Sequence, residues 1–329
     1  MGVSVQWEGV YPALLTPFTA NDQLDLPLFE KNLHAQLDAG VHGFIIGGSL
    51  GEASTLLNDE KIELLQSALG VCQGNVPVLV NIAEQGTKQA IARAHEAETN
   101  GADGLMLLPP MRYPADARET VTFFKAVAEE TSLPIMIYNN PYDYKIMTTV
   151  AMFEELATLP NIQAVKESTR DLTNITRMRN AFGDRFKLMG GVDTLALEAL
   201  LLGCDGWVGG LVDAFPTETM AIYDLAKAGN VAEALEIYRW FMPLLELDIH
   251  PKLVQYIKLA AQATGIGSEY VRAPRLPLIG AEREQVLAVI NTALAKRPTL
   301  STGKPVATDK LSTPLNPALT TQNPAVFIN

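Results

Sequence analysis

The feature that most constrains this chain is a rhythm: short apolar runs alternate with longer amphipathic stretches from residue 10 to residue 211. The runs are "VYPALLTPF" (10–18), "GFIIGGS" (43–49), "VPVLVNIA" (76–83), "GLMLLPP" (104–110), "LPIMIYNN" (133–140), "IQAVKES" (162–168), "FKLMGG" (186–191) and "GWVGGL" (206–211). Most are continuously apolar, as expected of parallel strands covered on both faces. Between them apolar residues recur at three and four positions: Leu28, Phe29, Leu33, Leu37; Ile62, Leu65, Leu69; Ala90, Ala94, Ala97. Asn58 with Asp59 and Glu60 reads as a helix N-cap followed by acidic first-turn residues. "DAGVHG", "TNGADG" and "LLGCDG" each close a helix with glycine just before a strand and echo a single βα unit. Eight such units predict a closed α/β (β/α)8 TIM barrel, with an open doubly wound sheet as the alternative.

The barrel is expected over residues 1–225. Residues 226–297 read as a C-terminal helical extension packed on it ("VAEALEIYRWFMPLLEL", "LVQYIKLAAQATG", "EREQVLAVINTALA"). Residues 298–329, rich in Thr, Pro, Ser and Asn without periodicity, read as a loosely held tail. With 48% hydrophobic residues there is material for a large core, and a net charge of -12 disfavours nucleic acid and anionic membrane surfaces as partners. Cys72 and Cys204 have no CxxC spacing and read as small buried hydrophobes. No signal-peptide pattern and no membrane-length apolar run is present, so the cytoplasm is the expected location.

Barrel enzymes work at the carboxyl ends of their strands. There the sequence places "GGSLGE", "PPMRY", "YNNPYDY" and "KEST". Period two puts Ala164, Lys166 and Ser168 on one strand face. A lysine pointing into the barrel would lose charge through burial and become a nucleophile toward a carbonyl. The competing reading is a structural ion pair with Glu167 or Glu52, and residue type alone leaves both open. Tyr138, near the end of the preceding strand, is a candidate proton carrier. "GGSLGE" offers backbone N–H groups and the Ser49 hydroxyl at a strand-to-helix turn, suited to a carboxylate or phosphate. Phosphate-loop and dinucleotide patterns are absent, and His34, His42, His95 and His250 are scattered, so no cofactor and no metal site is indicated.

The set "LLTPF", "GGSLGE", "YNNP" and "VKES", in this order and spacing, resembles the dihydrodipicolinate synthase / N-acetylneuraminate lyase family from about residue 9 to residue 295. The resemblance implies that Lys166 forms a Schiff base with C2 of a 2-oxo acid and that Tyr138 shuttles protons. It implies that Ser49 and Leu50 bind the C1 carboxylate through their N–H groups, that Gly191 and Val208 flank the imine, and that the chain is a homotetramer built as a dimer of dimers.

The sequence also departs from the synthase pattern. Leu50 stands where a second hydroxyl residue is usual. Met111 and Arg112 follow the strand-four prolines where a relay tyrosine is usual, with Tyr113 close by. Asp143 occupies the position of the arginine that clamps the second substrate. These departures point away from dihydrodipicolinate synthesis and leave Arg112, Tyr113, Asn140 and Asp143 as possible pocket residues. "IYNNP", "GWVGGL" followed by "AFP", "EIYRWFMPLL", "IKLA" and "RAPRLPL" are similar to 1-pyrroline-4-hydroxy-2-carboxylate deaminases of hydroxyproline catabolism. That similarity implies a small 2-oxo acid or cyclic imino acid substrate. A dehydratase or retro-aldol lyase of a 2-keto-3-deoxy sugar acid is the alternative, its hydroxyls met by Tyr142, Asp143 and Tyr144. A non-catalytic metabolite-binding barrel would need neither Lys166 nor Tyr138.

Overall fold

The computed structural model describes residues 3–110 and 112–300. All eight expected strands form: β1 Gly9–Pro12, β2 Phe44–Ile46, β3 Val78–Ile82, β4 Gly104–Leu107, β5 Ile135–Asn139, β6 Ile162–Glu167, β7 Lys187–Gly190 and β8 Gly206–Gly209. They pair in parallel in the order β1-β8-β7-β6-β5-β4-β3-β2. Ala13 bridges Ile45, and the Leu14 N–H donates to the Ile45 carbonyl at 2.9 Å, so β1 meets β2 and the ring closes. The fold is a (β/α)8 TIM barrel with added C-terminal helices, and the open sheet is excluded.

The strands are shorter than the apolar runs that announce them, because the runs continue into the loops above the barrel. Single bonds carry the ladder past the strand ends: Leu108 N–H to Ile82 O at 3.0 Å, and Ser168 N–H to Asn139 O at 2.9 Å. The glycines of the three echoed turns, Gly40, Gly101 and Gly203, all sit at φ between 85° and 101°, where a side chain would be strained. One helix start is shifted from expectation. The cap position is Leu57, whose N–H is accepted by the Glu60 carboxylate at 2.8 Å, while Asn58 is already helical.

Tyr11, Ile45, Leu79, Met106, Met136, Ala164, Met189 and Val208 fill the barrel interior. Trp7 plugs its amino end and donates from Nε1 to Gln163 at 2.8 Å. Each such fully buried large side chain contributes about 1.5–3 kcal/mol relative to exposure. Cys72 and Cys204 are buried free thiols.

Beyond the barrel, helices Val231–Leu245, Leu253–Ala263 and Gly280–Ala295 build a second apolar core with Trp207, Phe215 and Phe241. The first of them carries Pro243, which has no N–H to donate, and it tightens into a 3-10 turn over Glu246–Ile249. That turn carries Asp248 and Ile249 to the rim of the barrel. Lys258 and Glu52, both without exposed surface, pair at 2.5 Å and tie the second helix of the extension to the turn after β2. Among the described residues no helix is long and apolar enough to cross a membrane. Of the tail expected over 298–329, all but its first three residues lie outside the described residues.

Candidate active site

A cavity of about 690 Å³, counting its open mouth, lies at the carboxyl end of the barrel. Ser49, Leu50, Tyr138, Asn140, Asp143, Lys166, Gly191 and Val208, all expected from sequence, line it. Arg112 and Tyr113 do not: both are exposed, Tyr113 at 52%, on the loop after β4 and outside this cavity. Met111 lies outside the described residues.

Lys166 is 6% exposed and points inward above Ala164, as the strand period requires. Among the described residues its amine has no ion pair and no hydrogen bond; its Nζ lies 4.2 Å from the centroid of the Tyr138 ring. The two carboxylates considered as partners are engaged elsewhere. Glu52 holds Lys258, and Glu167 accepts from Asn174 at 2.6 Å and from the Thr169 N–H at 2.8 Å. Burial holds the Lys166 amine below the usual lysine value, and the phenol and carboxylates of Tyr144, Asp248, Asp193 and Asp143 oppose that shift.

Gly191 makes room for this lysine. A Cβ there would meet Ser168 Oγ at 2.2 Å and Lys166 Cγ at 2.7 Å. Ser168 instead donates to the Gly191 carbonyl at 2.9 Å, which fixes the two strand ends against each other.

Tyr138 pairs with Lys166 in the β5–β6 register and is 8% exposed. Burial pushes its phenol up to about 12, so it is protonated at neutral pH and can lend and recover a proton. Its hydroxyl accepts from Asn140 Nδ2 at 3.2 Å. Tyr144 packs edge-on against it at 5.4 Å between centroids, and the Tyr144 and Ser49 hydroxyls lie 2.5 Å apart. Burial also raises the Tyr144 phenol. This tyrosine, grouped from sequence only with possible hydroxyl-binding residues, joins Tyr138 to Ser49 within one chain.

The turn after β2 leaves the Ser49 and Leu50 N–H groups without an acceptor among the described residues. They form an anion cradle beside Tyr144. Wall residues without a sequence signal of their own include Arg170, whose guanidinium stacks on the Tyr142 ring at 3.5 Å, Asp248 and Leu253. Only the packing of the extension brings the last two to the barrel mouth.

A buried amine with no partner among the described residues, its charged form disfavoured by burial, beside a protonated phenol and two amides without acceptors, is equipped to bind a 2-oxo acid and form an imine. The chain matches the model of the dihydrodipicolinate synthetase family over residues 6–293. The chain belongs to this family. A 4-hydroxy-tetrahydrodipicolinate synthase from Exiguobacterium sibiricum is 35% identical over 276 residues, covering 83% of this chain and 92% of that protein. Among solved structures, dihydrodipicolinate synthase from Bacillus anthracis superposes with a TM-score of 0.84 at 27% identity, covering 88% of this chain and 99% of that one. A monomeric dihydrodipicolinate synthase variant superposes with a TM-score of 0.82 at 25% identity, covering 88% and 96%. This chain is therefore an enzyme of a lysine Schiff-base lyase family. These relatives carry the synthase name; they do not support the deaminase subgroup that the sequence resembles.

Proposed function

We propose that Lys166 forms an imine with C2 of a small 2-oxo acid or its cyclic imine, and that the enzyme then eliminates rather than condenses. The C1 carboxylate sits on the Ser49 and Leu50 amides, with Gly191 and Val208 beside the imine. Tyr138, protonated at the start, gives its proton to the nitrogen or oxygen that leaves C2 as the imine forms, and the resulting phenolate takes the C3 proton; Tyr144 with Ser49 connects it to the carboxylate cradle. The observation that carries imine formation is the buried Lys166 amine, without a partner among the described residues and 4.2 Å from the Tyr138 ring centroid.

The substrate we infer is 1-pyrroline-4-hydroxy-2-carboxylate. Attack by Lys166 at C2 opens the ring and leaves an amine on C5. Loss of a C3 proton and of the C4 hydroxyl as water, followed by tautomerisation, moves unsaturation to C5. One water then releases ammonia from C5 and a second frees Lys166, giving 2-oxoglutarate semialdehyde. Asp143 on the cavity wall supports this choice, because a carboxylate there repels the second carboxylate that a condensing partner brings.

A second reading is pyruvate condensation with aspartate semialdehyde. It is favoured by the names of the relatives and by the Arg170 guanidinium, which lines the same cavity and would attract a carboxylate. The purified chain decides between them. Ammonia and 2-oxoglutarate semialdehyde should appear from the hydroxypyrroline carboxylate, with negligible condensation. Efficient condensation without ammonia release would establish the second reading. Water loss from a 2-keto-3-deoxy sugar acid alone would keep elimination and change the substrate. The homotetramer is part of the same proposal, supported by family membership, and sedimentation at working concentration tests it.

A further inference from the structure

Elimination moves two protons: one leaves C3, and one must reach the departing oxygen. Tyr138 on the β5 side of Lys166 accounts for the first. Lys166 stands on β6, and on its other side, where the chain leaves β7 and β8, the cavity wall contains a second acid–base group, Asp248. Its Oδ1 lies 2.6 Å from where a Cβ on Gly210 would be, so the glycine after β8 leaves the space this carboxyl occupies. Asp248 is half-buried and pairs with no cation among the described residues; Lys252, four residues on, is taken by Glu282 at 2.6 Å. The other cavity carboxylate, Asp143, is exposed, shares the Tyr138 side and accepts from Asn140 at 2.7 Å. The acidic groups do not define the site by themselves. The unpartnered Lys166 amine, 6% exposed, is aimed into the same space.

We propose that Asp248 is the acid that protonates the leaving hydroxyl of a 4-hydroxy substrate held as an imine on Lys166. The proposal rests on the elimination reading above. As the C2=C3 enamine pushes its electron pair toward C4, the C4–O bond breaks with its electrons, and the Asp248 carboxyl proton converts the departing group to water. The carboxylate left behind is reprotonated from solvent at the open mouth. The groups facing Asp248 are Lys166 from β6, Asp193 after β7 and Asp143 after β5. Burial and the two carboxylates raise its carboxyl well above the ordinary range, against the opposing pull of Lys166, which favours the protonated form the step needs.

The test is Asp248→Asn, which keeps shape and removes the proton. Turnover of the hydroxypyrroline carboxylate should fall about 10²–10⁴-fold, the usual contribution of a general acid, while borohydride still traps pyruvate on the variant. Wild type should lose turnover on the alkaline side as Asp248 deprotonates, and the variant should lack that limb. With the 4-fluoro analogue, whose fluoride needs no such proton to leave, the gap between the two proteins should shrink at least tenfold. Equal turnover of the hydroxy substrate by both proteins would overturn the role of Asp248 and leave elimination standing. A defect of equal size on the fluoro analogue would overturn it too. A wild-type protein that traps pyruvate and eliminates neither substrate would overturn the elimination reading itself.

Discussion

Replacing Gly191 by alanine probes the construction of the site without touching its chemistry. Gly191 is not among the positive-φ residues, so its backbone admits an alanine. Its N–H donates to the Glu167 carbonyl at 2.9 Å, a bond that alanine keeps. The new methyl would lie 2.2 Å from Ser168 Oγ, which must turn aside, and 2.7 Å from Lys166 Cγ and 2.9 Å from Lys166 Cε. Ordinary carbon contacts are about 3.5–4.0 Å, so the lysine stem must retreat by roughly 1 Å. Overpacking of this kind costs about 1–3 kcal/mol of stability, which a barrel of this size survives. The catalytic cost is larger, because a displacement of about 1 Å at a reacting group lowers rates about 10²-fold. The assay is the rate of borohydride trapping with pyruvate, alongside a thermal melt. A trapping rate down about 10²-fold with a melting point within a few degrees of wild type is expected. Wild-type trapping in a folded Gly191→Ala protein would show that Lys166 does not need the space, and would refute the role assigned to this glycine.

Two further outcomes separate proton transfer from architecture. Tyr138→Phe should lower turnover about 10²–10⁴-fold while imine trapping persists, because the phenol moves protons and does not attack; near-normal turnover would remove it from the mechanism. Glu52→Gln should cost about 3–5 kcal/mol of unfolding free energy in denaturant titrations, since it leaves the fully buried Lys258 amine without its counter-charge; an unchanged midpoint would mean the pair does not hold the extension to the barrel.

The barrel was legible because apolar runs and closing glycines report local requirements that every βα unit must meet. Lys166 and Tyr138 were legible as types out of place: a lysine in an apolar run, and a tyrosine at the neighbouring strand end. The alternative ion pairs for Lys166 could not be decided from sequence, since Glu52 is distant from Lys258 along the chain and only packing joins them. Asp248 was invisible for the same reason. It lies between two segments read as helices, 231–247 and 253–265, with no motif of its own, and its position depends on the helix tightening after Pro243. Arg112 and Tyr113 were chosen by proximity to a strand end, yet their loop turns outward. Tyr144 was named only as a pocket residue; that its hydroxyl meets Ser49 could not be read, because the contact spans 95 residues of sequence.

The central claim is that the buried amine of Lys166 is the nucleophile. Borohydride reduction of the protein with pyruvate, followed by peptide mass mapping, tests it most directly. A single reduced adduct on the peptide containing Lys166, absent in Lys166→Ala, is the expected result. An adduct on Lys258 or any other lysine, or none in a folded protein, would contradict it.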